Sequence, residues 1–205
     1  FGQPYAINLG GAAGPVEVRD MDGDGKVDFV TLTSAIEIWL GSGLRGAGAF
    51  RRGPAPRVAI ATDHRALALG DLNADGVPDV VYGSLNSYDV ALGNGDGSVI
   101  AGESLGEPGF PLDVLIQDVD GDGHADVIGA NRRDAVRWWS GDGAGHFAPA
   151  TTLEAGGDGD TQIALGDLDG DGTLDLLIGL RRGDSHDLGV SLGDGRRAYA
   201  LGRED

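Results

Sequence analysis

Residues 118–126 read Asp-Val-Asp-Gly-Asp-Gly-His-Ala-Asp, and the pattern Asp-x-Asp/Asn-x-Asp-Gly-x-x-Asp occurs four times along the chain. The other copies are residues 20–28 (Asp-Met-Asp-Gly-Asp-Gly-Lys-Val-Asp), 71–79 (Asp-Leu-Asn-Ala-Asp-Gly-Val-Pro-Asp) and 167–175 (Asp-Leu-Asp-Gly-Asp-Gly-Thr-Leu-Asp). Their first residues lie 51, 47 and 49 residues apart. A recurrence at this spacing indicates a repeat architecture. The chain is therefore predicted to contain four equivalent units, each carrying one acidic loop.

Every unit shows the same order of short apolar segments around its loop. In the third unit, one segment enters the loop (112–116), a second leaves it (127–130), a third runs into a glycine turn (136–143), and a fourth begins near Phe147. Short β-rich segments joined by Gly, Asn and Asp turns are typical of antiparallel hairpins, and no long window has a helical apolar period. Four-stranded units in series are propeller blades. The predicted fold is an all-β β-propeller of four four-stranded antiparallel blades.

The repeat also predicts the domain organisation. We expect a single β-propeller domain over residues 1–205, with units 10–56, 57–106, 107–155 and 156–205 and with residues 1–9 as an extra outer strand that closes the ring. Four blades that close on themselves are the favoured arrangement. The alternative is a segment or half of a larger propeller, completed by further chain or by a second copy in a homo-oligomer.

Composition narrows the classes of partner. The net charge is −18, which argues against nucleic acid because phosphate binding needs clustered Lys and Arg. Fifteen of the 33 acidic residues occupy positions 1, 3, 5 and 9 of the four loops. Bound cations would therefore neutralise much of the negative charge. There is no cysteine, which excludes disulfides and thiolate metal sites. No apolar run is long enough to cross a bilayer, and we expect no membrane insertion.

The acidic loops have the ligand chemistry of calcium. Calcium takes six to eight oxygen ligands, and positions 1, 3, 5 and 9 of each loop supply side-chain oxygens while position 7 supplies its carbonyl. The predicted ligands are Asp20, Asp22, Asp24, Lys26 and Asp28; Asp71, Asn73, Asp75, Val77 and Asp79; Asp118, Asp120, Asp122, His124 and Asp126; and Asp167, Asp169, Asp171, Thr173 and Asp175. The sequence therefore predicts about four Ca²⁺ ions.

Two comparisons sharpen this prediction. Magnesium usually keeps several waters, so a cage this rich in carboxylates favours calcium. The loop begins like an EF-hand, but no helix pattern flanks it, and Asp at position 9 replaces the Glu expected at position 12. Because Asn73 supplies one carboxylate fewer, we expect the second site to be the weakest.

With its loops, the steps Ile128-Gly-Ala130 and Ile178-Gly-Leu180, and the stretch Gly141-Asp-Gly-Ala-Gly-His-Phe147, the chain resembles the FG-GAP repeats of integrin α-subunit propellers and their bacterial VCBS relatives. The resemblance covers essentially the whole chain. It implies calcium sites between the first two strands of each blade, on one face of the ring. It also implies roles in adhesion, in carbohydrate binding or as appendages of secreted enzymes, with no single activity.

Three tryptophans lie on the predicted third strands. Trp138 shares its repeat position with Ile38, Val90 and Val190 and is predicted to lie in the core. Trp39 and Trp139 share the next position and project from the opposite face. They are candidates for stacking on a sugar ring, and packing between blades is the alternative.

The sequence thus predicts a calcium-binding propeller that works as an extracellular binding or adhesion module for a carbohydrate or protein ligand, secreted or at the cell surface. No nucleophile, catalytic triad or phosphate loop is visible, so we do not expect an enzyme. Two alternatives remain open. One is a non-catalytic propeller within a secreted polysaccharide-active enzyme, and the other is a repeat scaffold that self-assembles.

Overall fold

The computed structural model describes residues 6–9, 14–46, 48–54, 58–60, 65–106, 109–132, 135–154, 161–182, 184–194 and 200–201. Within these residues all regular structure is β, in sixteen strands and no helix. No helix in this described part is long and apolar enough to span a membrane.

The strands form four separate sheets of four, each drawn from one repeat unit. The first sheet contains β1 (Val16–Arg19), β2 (Asp28–Leu32), β3 (Ile36–Gly41) and β4 (Phe50–Arg52). The second contains β5 (Leu67–Gly70), β6 (Asp79–Gly83), β7 (Tyr88–Gly93) and β8 (Val99–Ser104). The third contains β9 (Pro111–Gln117), β10 (Asp126–Asn131), β11 (Ala135–Trp139) and β12 (Thr151–Glu154). The fourth contains β13 (Gln162–Gly166), β14 (Asp175–Arg182), β15 (Ser185–Leu192) and β16 (Ala200–Leu201).

Within each sheet the strands are hydrogen-bonded in chain order, and every pairing is antiparallel. This up-and-down meander is the order of a propeller blade. The fourth strands begin at Phe50 and Val99 as the sequence indicates. In the third sheet, however, the fourth strand begins at Thr151, because Phe147 instead forms an isolated bridge with Gly141 across the preceding turn. Tyr199, the aromatic residue near which the fourth strand of the last unit is predicted to begin, lies outside the described residues.

Each inner blade has two apolar faces, which we name by their neighbours. The leading face packs on the preceding sheet and the trailing face on the following one. Side chains alternate between faces along a strand, so a middle strand covered on both sides is buried throughout, as β6 and β10 are.

Three apolar cores fill the spaces between consecutive sheets. Val30 and Ile38 of the first trailing face pack with Val80 of the second leading face. The second core joins the second and third sheets, and the third joins the third and fourth sheets, with Trp138 buried in it as predicted. The sheets therefore stack in chain order by one repeated contact.

The four blades form an open arc rather than a closed ring. In the described part of the chain, the first and fourth sheets share no apolar core. The favoured prediction of a ring closed by four blades is thus corrected, and the segment of a larger propeller fits the structure. The outer strand predicted over residues 1–9 stays a prediction. Residues 6–9 lie in no strand, residues 1–5 lie outside the described part, and β16 already forms the outer edge of the fourth sheet.

Candidate metal centres

The acidic loops join the first and second strands of each sheet, which we call its inner strands. They share a set of hydrogen bonds from backbone N–H groups to side-chain oxygens, which we call the frame. In the third loop, Asp118 at position 1 accepts the Gly121 N–H at 2.8 Å on one carboxylate oxygen and the Gly123 N–H at 2.9 Å on the other. Asp20 and Asp167 accept the equivalent pairs in the first and fourth loops. Side-chain acceptors of this kind stabilise tight turns by replacing backbone partners. Position 1 therefore holds the turn closed.

Positions 3 and 5 continue the frame. Asp120 Oδ1 accepts the Asp122 N–H at 3.2 Å, and Asp122 Oδ1 accepts the His124 N–H at 2.9 Å. All four loops have both bonds. The position-7 residues Lys26, Val77, His124 and Thr173 are thereby fixed through their N–H groups. Their carbonyl oxygens remain predicted ligands.

Three of the loops bring carboxylates together. Carboxylate oxygens lie within 4.8 Å of one another in the sets Asp20, Asp22 and Asp28; Asp118, Asp120 and Asp122; and Asp167, Asp169 and Asp175. Calcium binds oxygens at about 2.3–2.6 Å, so two ligands on opposite sides of the ion are about 5 Å apart. Each set therefore fits inside one calcium shell, and its hard, anionic oxygens suit that ion. These residues could hold a metal ion.

The aspartate at position 9 anchors the loop to the sheet. Asp126 is buried, and its carboxylate accepts the Val119 N–H at 3.0 Å and the Gly141 N–H at 2.9 Å. Asp28, Asp79 and Asp175 make the same two bonds, at 2.7–2.8 Å. One side chain thus connects the start of the loop, the second strand and the end of the third strand.

Burial of this anchor perturbs its protonation. Desolvation raises the pKa of Asp28 and Asp126 above the usual range, although their backbone donors favour the carboxylate. The same cause raises the pKa of Asp79 to about 6. A nearby cation would oppose this shift, because it stabilises the ionised form.

A glycine at the end of each third strand completes the anchor, and sequence reasoning assigned it only to a turn. A Cβ on Gly93 would lie 2.3 Å from the Pro78 carbonyl oxygen, and a Cβ on Gly141 would lie 2.2 Å from that of Ala125. Gly41 and Gly193 are equally close to their loops. These glycines also donate the N–H that the position-9 aspartate accepts. Their recurrence after each third strand was the signal that could have identified them.

The second loop keeps most of the frame and changes the side chains. Its Asp71 accepts the N–H groups of positions 5 and 6, where position 1 of the other loops accepts those of positions 4 and 6. Asn73 replaces an aspartate, and its Nδ2 donates to Asp75 Oδ2 at 3.0 Å. Position 4 is Ala74, with φ at 57°, where the other loops have glycine. Among the described residues Ala74 is the one non-glycine residue with positive φ. This loop forms no cluster of three acidic side chains comparable to the other three.

In the first loop a lysine side chain contacts one of the acidic residues. Lys26 Nζ donates to Asp24, and this hydrogen bond lowers the pKa of the Asp24 carboxyl. Arg51 Nη2 lies 3.8 Å from Asp22 Oδ2. Both contacts are at the surface, where ion pairs contribute little to stability.

The structure separates the two tryptophans predicted to contact a ligand. Trp139 is 2% exposed, and its ring packs edge-on against Tyr88 of the second sheet at 5.4 Å between centroids. The second sheet covers Trp139, so its ring has no free face on which a sugar could stack. The prediction that Trp139 contacts a ligand is therefore corrected. Trp39 lies on the uncovered leading face of the first sheet, stacked on Phe29 at 5.9 Å.

Four meander blades with an acidic loop between their inner strands define the class, a repeat protein of β-propeller type. A family profile then identifies the particular repeat. The FG-GAP-like repeat matches residues 20–82, 71–129 and 118–178, each match spanning two successive acidic loops. These matches cover most of the chain, which belongs to the FG-GAP-like repeat family.

Solved structures share the fold. The chain is similar to a lectin of Agrocybe aegerita, described by its specific recognition of non-reducing terminal N-acetylglucosamine, with a TM-score of 0.62 and 21% identity. That similarity covers 91% of this chain and 51% of the lectin chain. A second similar structure is the Photorhabdus luminescens Tc holotoxin pore, with a TM-score of 0.54, 20% identity, 91% of this chain and 9% of the toxin chain. The chain thus spans about half the length of the lectin. No curated protein matches it in sequence.

Proposed function

We propose that this chain is a calcium-stabilised FG-GAP propeller segment that acts as an extracytoplasmic carbohydrate-binding module. The observation that carries the proposal is the set of carboxylate clusters in the first, third and fourth loops, each within 4.8 Å. Carboxylates this close repel one another, and a bound divalent cation removes that repulsion. The family match and the lectin-like fold support the binding role.

Calcium has a structural role in this proposal. The loops connect the inner strands of each blade, and the buried aspartate at position 9 ties the loop to the third strand. An ion held by positions 1 and 3, together with position 9 in the first and fourth loops and position 5 in the third, would fix the loop against the sheet. Loop carboxylates are occupied by this task, so the recognised ligand binds elsewhere on the arc.

The calcium loops also suggest a location. Extracellular modules bind calcium with dissociation constants of about 10⁻⁴–10⁻³ M, a range that free calcium reaches outside cells. Open surface loops fixed by local side-chain bonds fit this weak class. We therefore propose that the protein acts outside the cytoplasm, secreted or at the cell surface.

A non-catalytic role fits the acidic residues outside the loops. Glycoside hydrolysis needs two carboxyl groups about 5–10 Å apart around the bond. Asp113, on the innermost strand of the third sheet, accepts the Val114 and Ile163 N–H groups, both at 3.0 Å. Glu103, on the outermost strand of the second sheet, pairs with His146 at 3.6 Å. Among the described residues these two carboxylates are therefore engaged separately. Glu107, a further acidic residue outside the loops, lies outside the described part of the chain.

A cavity of about 410 Å³ is the candidate sugar site. It lies at the edge of the blades opposite the acidic loops, near the first residues of β9 and β13. Its lining includes the polar residues Arg181, Gln162 and Thr161. The Thr161 side chain is buried, and its hydroxyl has no hydrogen-bond partner among the described residues. A concave site with a few polar groups is the usual form of a small-ligand site.

The calcium part is tested by thermal unfolding in 10 mM calcium, 10 mM magnesium and chelator. With dissociation constants of about 10⁻⁴–10⁻³ M, calcium should add about 1.4–2.7 kcal/mol per site to the unfolding free energy. The midpoint should rise by several degrees in calcium and much less in magnesium. An equal midpoint in calcium and in chelator contradicts structural calcium.

The carbohydrate part is tested on a glycan array in calcium. We expect binding to a restricted set of sugars, lost in the variants Arg181→Ala and Gln162→Ala. The matched control is Arg45→Ala, an exposed arginine remote from the cavity, which should keep wild-type binding. An array without signal, from protein that unfolds cooperatively in calcium, rules out carbohydrate as the ligand and leaves the calcium proposal standing.

A further inference from the structure

The leading face of the first sheet is exposed at positions that are covered in every other blade. Val16 is 55% exposed, whereas its repeat equivalents Leu67, Val114 and Ile163 are at most 8% exposed. Phe29 and Trp39 are partly exposed on the same face, while the equivalent pairs in the other sheets are buried against the preceding blade. This face has the composition of a blade interface without the neighbouring blade.

The trailing face of the fourth sheet shows the reciprocal pattern. Leu188 is 63% exposed, whereas its equivalents Ile36, Tyr88 and Val136 are at most 3% exposed. Val190 and Leu192, on the same face of β15, are exposed as well. An apolar row of this kind on a sheet face marks an interaction site more often than a free surface.

The two exposed faces are the two halves of one contact. Within the chain, a trailing face packs on a leading face three times, always through the same repeat positions. The trailing face of the fourth sheet is therefore shaped and patterned to receive a leading face, and the first sheet offers an uncovered one. Because the arc is open, the two ends of one molecule do not meet.

We propose that two copies of this chain associate head to tail, each placing its fourth sheet against the first sheet of the other. A heterologous contact generates a closed ring when its rotation closes, and a filament when it does not. Two copies supply eight blades, which lies within the four to eight of known propellers. They also supply about the chain length of the similar lectin, of which one copy covers 51%. Both apolar end faces are then buried in one twofold-symmetric ring.

The solution mass tests this inference. In calcium, sedimentation equilibrium of the 205-residue chain should give twice the 20.9 kDa chain mass. A monomer at all concentrations, or an open series of higher masses, overturns the two-copy ring.

Variants test the arrangement. Val18→Asp on the leading face and Leu188→Asp on the trailing face should each give a monomer. Both side chains are 63% exposed in the single chain, so folding should be preserved, as circular dichroism would check. Leu85→Asp is the matched control, an exposed leucine in the turn between β6 and β7 that should remain dimeric.

Mixing the variants distinguishes head-to-tail from other dimers. A Val18→Asp copy keeps its trailing face and a Leu188→Asp copy keeps its leading face, so an equimolar mixture should regain a weaker dimer through one native contact. A dimer disrupted by only one of the two substitutions indicates a face pairing with itself, and it overturns the head-to-tail contact. These outcomes do not depend on sugar binding.

Discussion

The second acidic loop (residues 71–79) and the third (residues 118–126) share most of their hydrogen-bond frame and differ in their potential ligands. Both are anchored by a buried aspartate at position 9, which accepts two backbone N–H groups. The third loop has aspartate at position 3 and glycine at position 4, whereas the second has Asn73 and Ala74. The difference shows that the anchor to the sheet is kept when the acidic cluster is lost. In our proposal the clustered carboxylates hold the cation.

The largest effect should come from breaking the frame, and it should be equal in both loops. Gly93→Ala and Gly141→Ala each place a Cβ about 2.2–2.3 Å from a backbone carbonyl oxygen. We expect each to lower the unfolding free energy by about 3 kcal/mol, measured by urea unfolding in calcium. Gly166→Ala is the matched control, because its added Cβ meets no atom within 4 Å. A loss confined to the third loop would show that the second loop lacks the shared frame.

Restoring the missing carboxylate should remove much of the difference in calcium affinity between the two loops. Asn73→Asp gives the second loop the charge of the others, and we expect its calcium affinity to rise about tenfold, since affinity follows the number of charged ligands. The reciprocal change Asp120→Asn should weaken the third site by a similar factor. Calorimetric titration of single-site variants measures both. If neither substitution changes calcium binding, position 3 does not contribute a ligand.

The third prediction concerns backbone strain at position 4. Ala74 has φ at 57°, a conformation that costs a non-glycine residue about 1–2 kcal/mol. Ala74→Gly relieves this strain but adds freedom to the unfolded chain. We expect a net gain of about 0.5–1 kcal/mol in unfolding free energy. The reverse change Gly121→Ala meets no atom within 4 Å, so it should cost a similar amount through φ alone. Equal stability of Ala74→Gly and wild type would contradict stored strain.

The smallest effect is a pH dependence in the second loop. In the metal-free protein, burial raises the pKa of Asp79 to about 6, above its unfolded value near 3.8. The folded state then holds the proton more tightly, so its stability falls as pH rises through about 6. Calcium competes with this proton, so we expect affinity at the second site to drop about twofold between pH 7 and pH 6. A constant affinity of the second site over this range, measured by calorimetric titration, would contradict the linkage.

The acidic loops show how much local sequence can determine. The spacing of the aspartates defined the four units and identified the residues brought together as carboxylate clusters, because a turn of nine residues is built by its own side chains. The short apolar segments around each loop predicted the antiparallel blades. The anchoring role of Asp126 was not predicted, since position 9 was assigned only to the metal. Its partner Gly141 lies fifteen residues away, and that contact exists only after the third strand has paired.

The different burial of Trp39 and Trp139 could not be predicted from the sequence. They occupy the same repeat position, so sequence assigns them the same environment, yet one lies on an uncovered face and the other is buried against Tyr88. The difference depends on whether a preceding sheet is present, which is a property of the stack and not of the strand. For the same reason the closed four-bladed ring was wrong, because the angle between successive blades is set by packing.

The sequence by itself therefore determined the repeat, the blade and the acidic loops, since hairpins and Asx turns are governed by neighbouring residues and by alternation along a strand. Only the tertiary structure decided that the arc is open, that the first and fourth sheets each keep an apolar face, and that the buried aspartates fix the loops. These features arise from contacts between distant segments of the chain. Whether a given side chain is buried depends on which surfaces meet after the blades have formed.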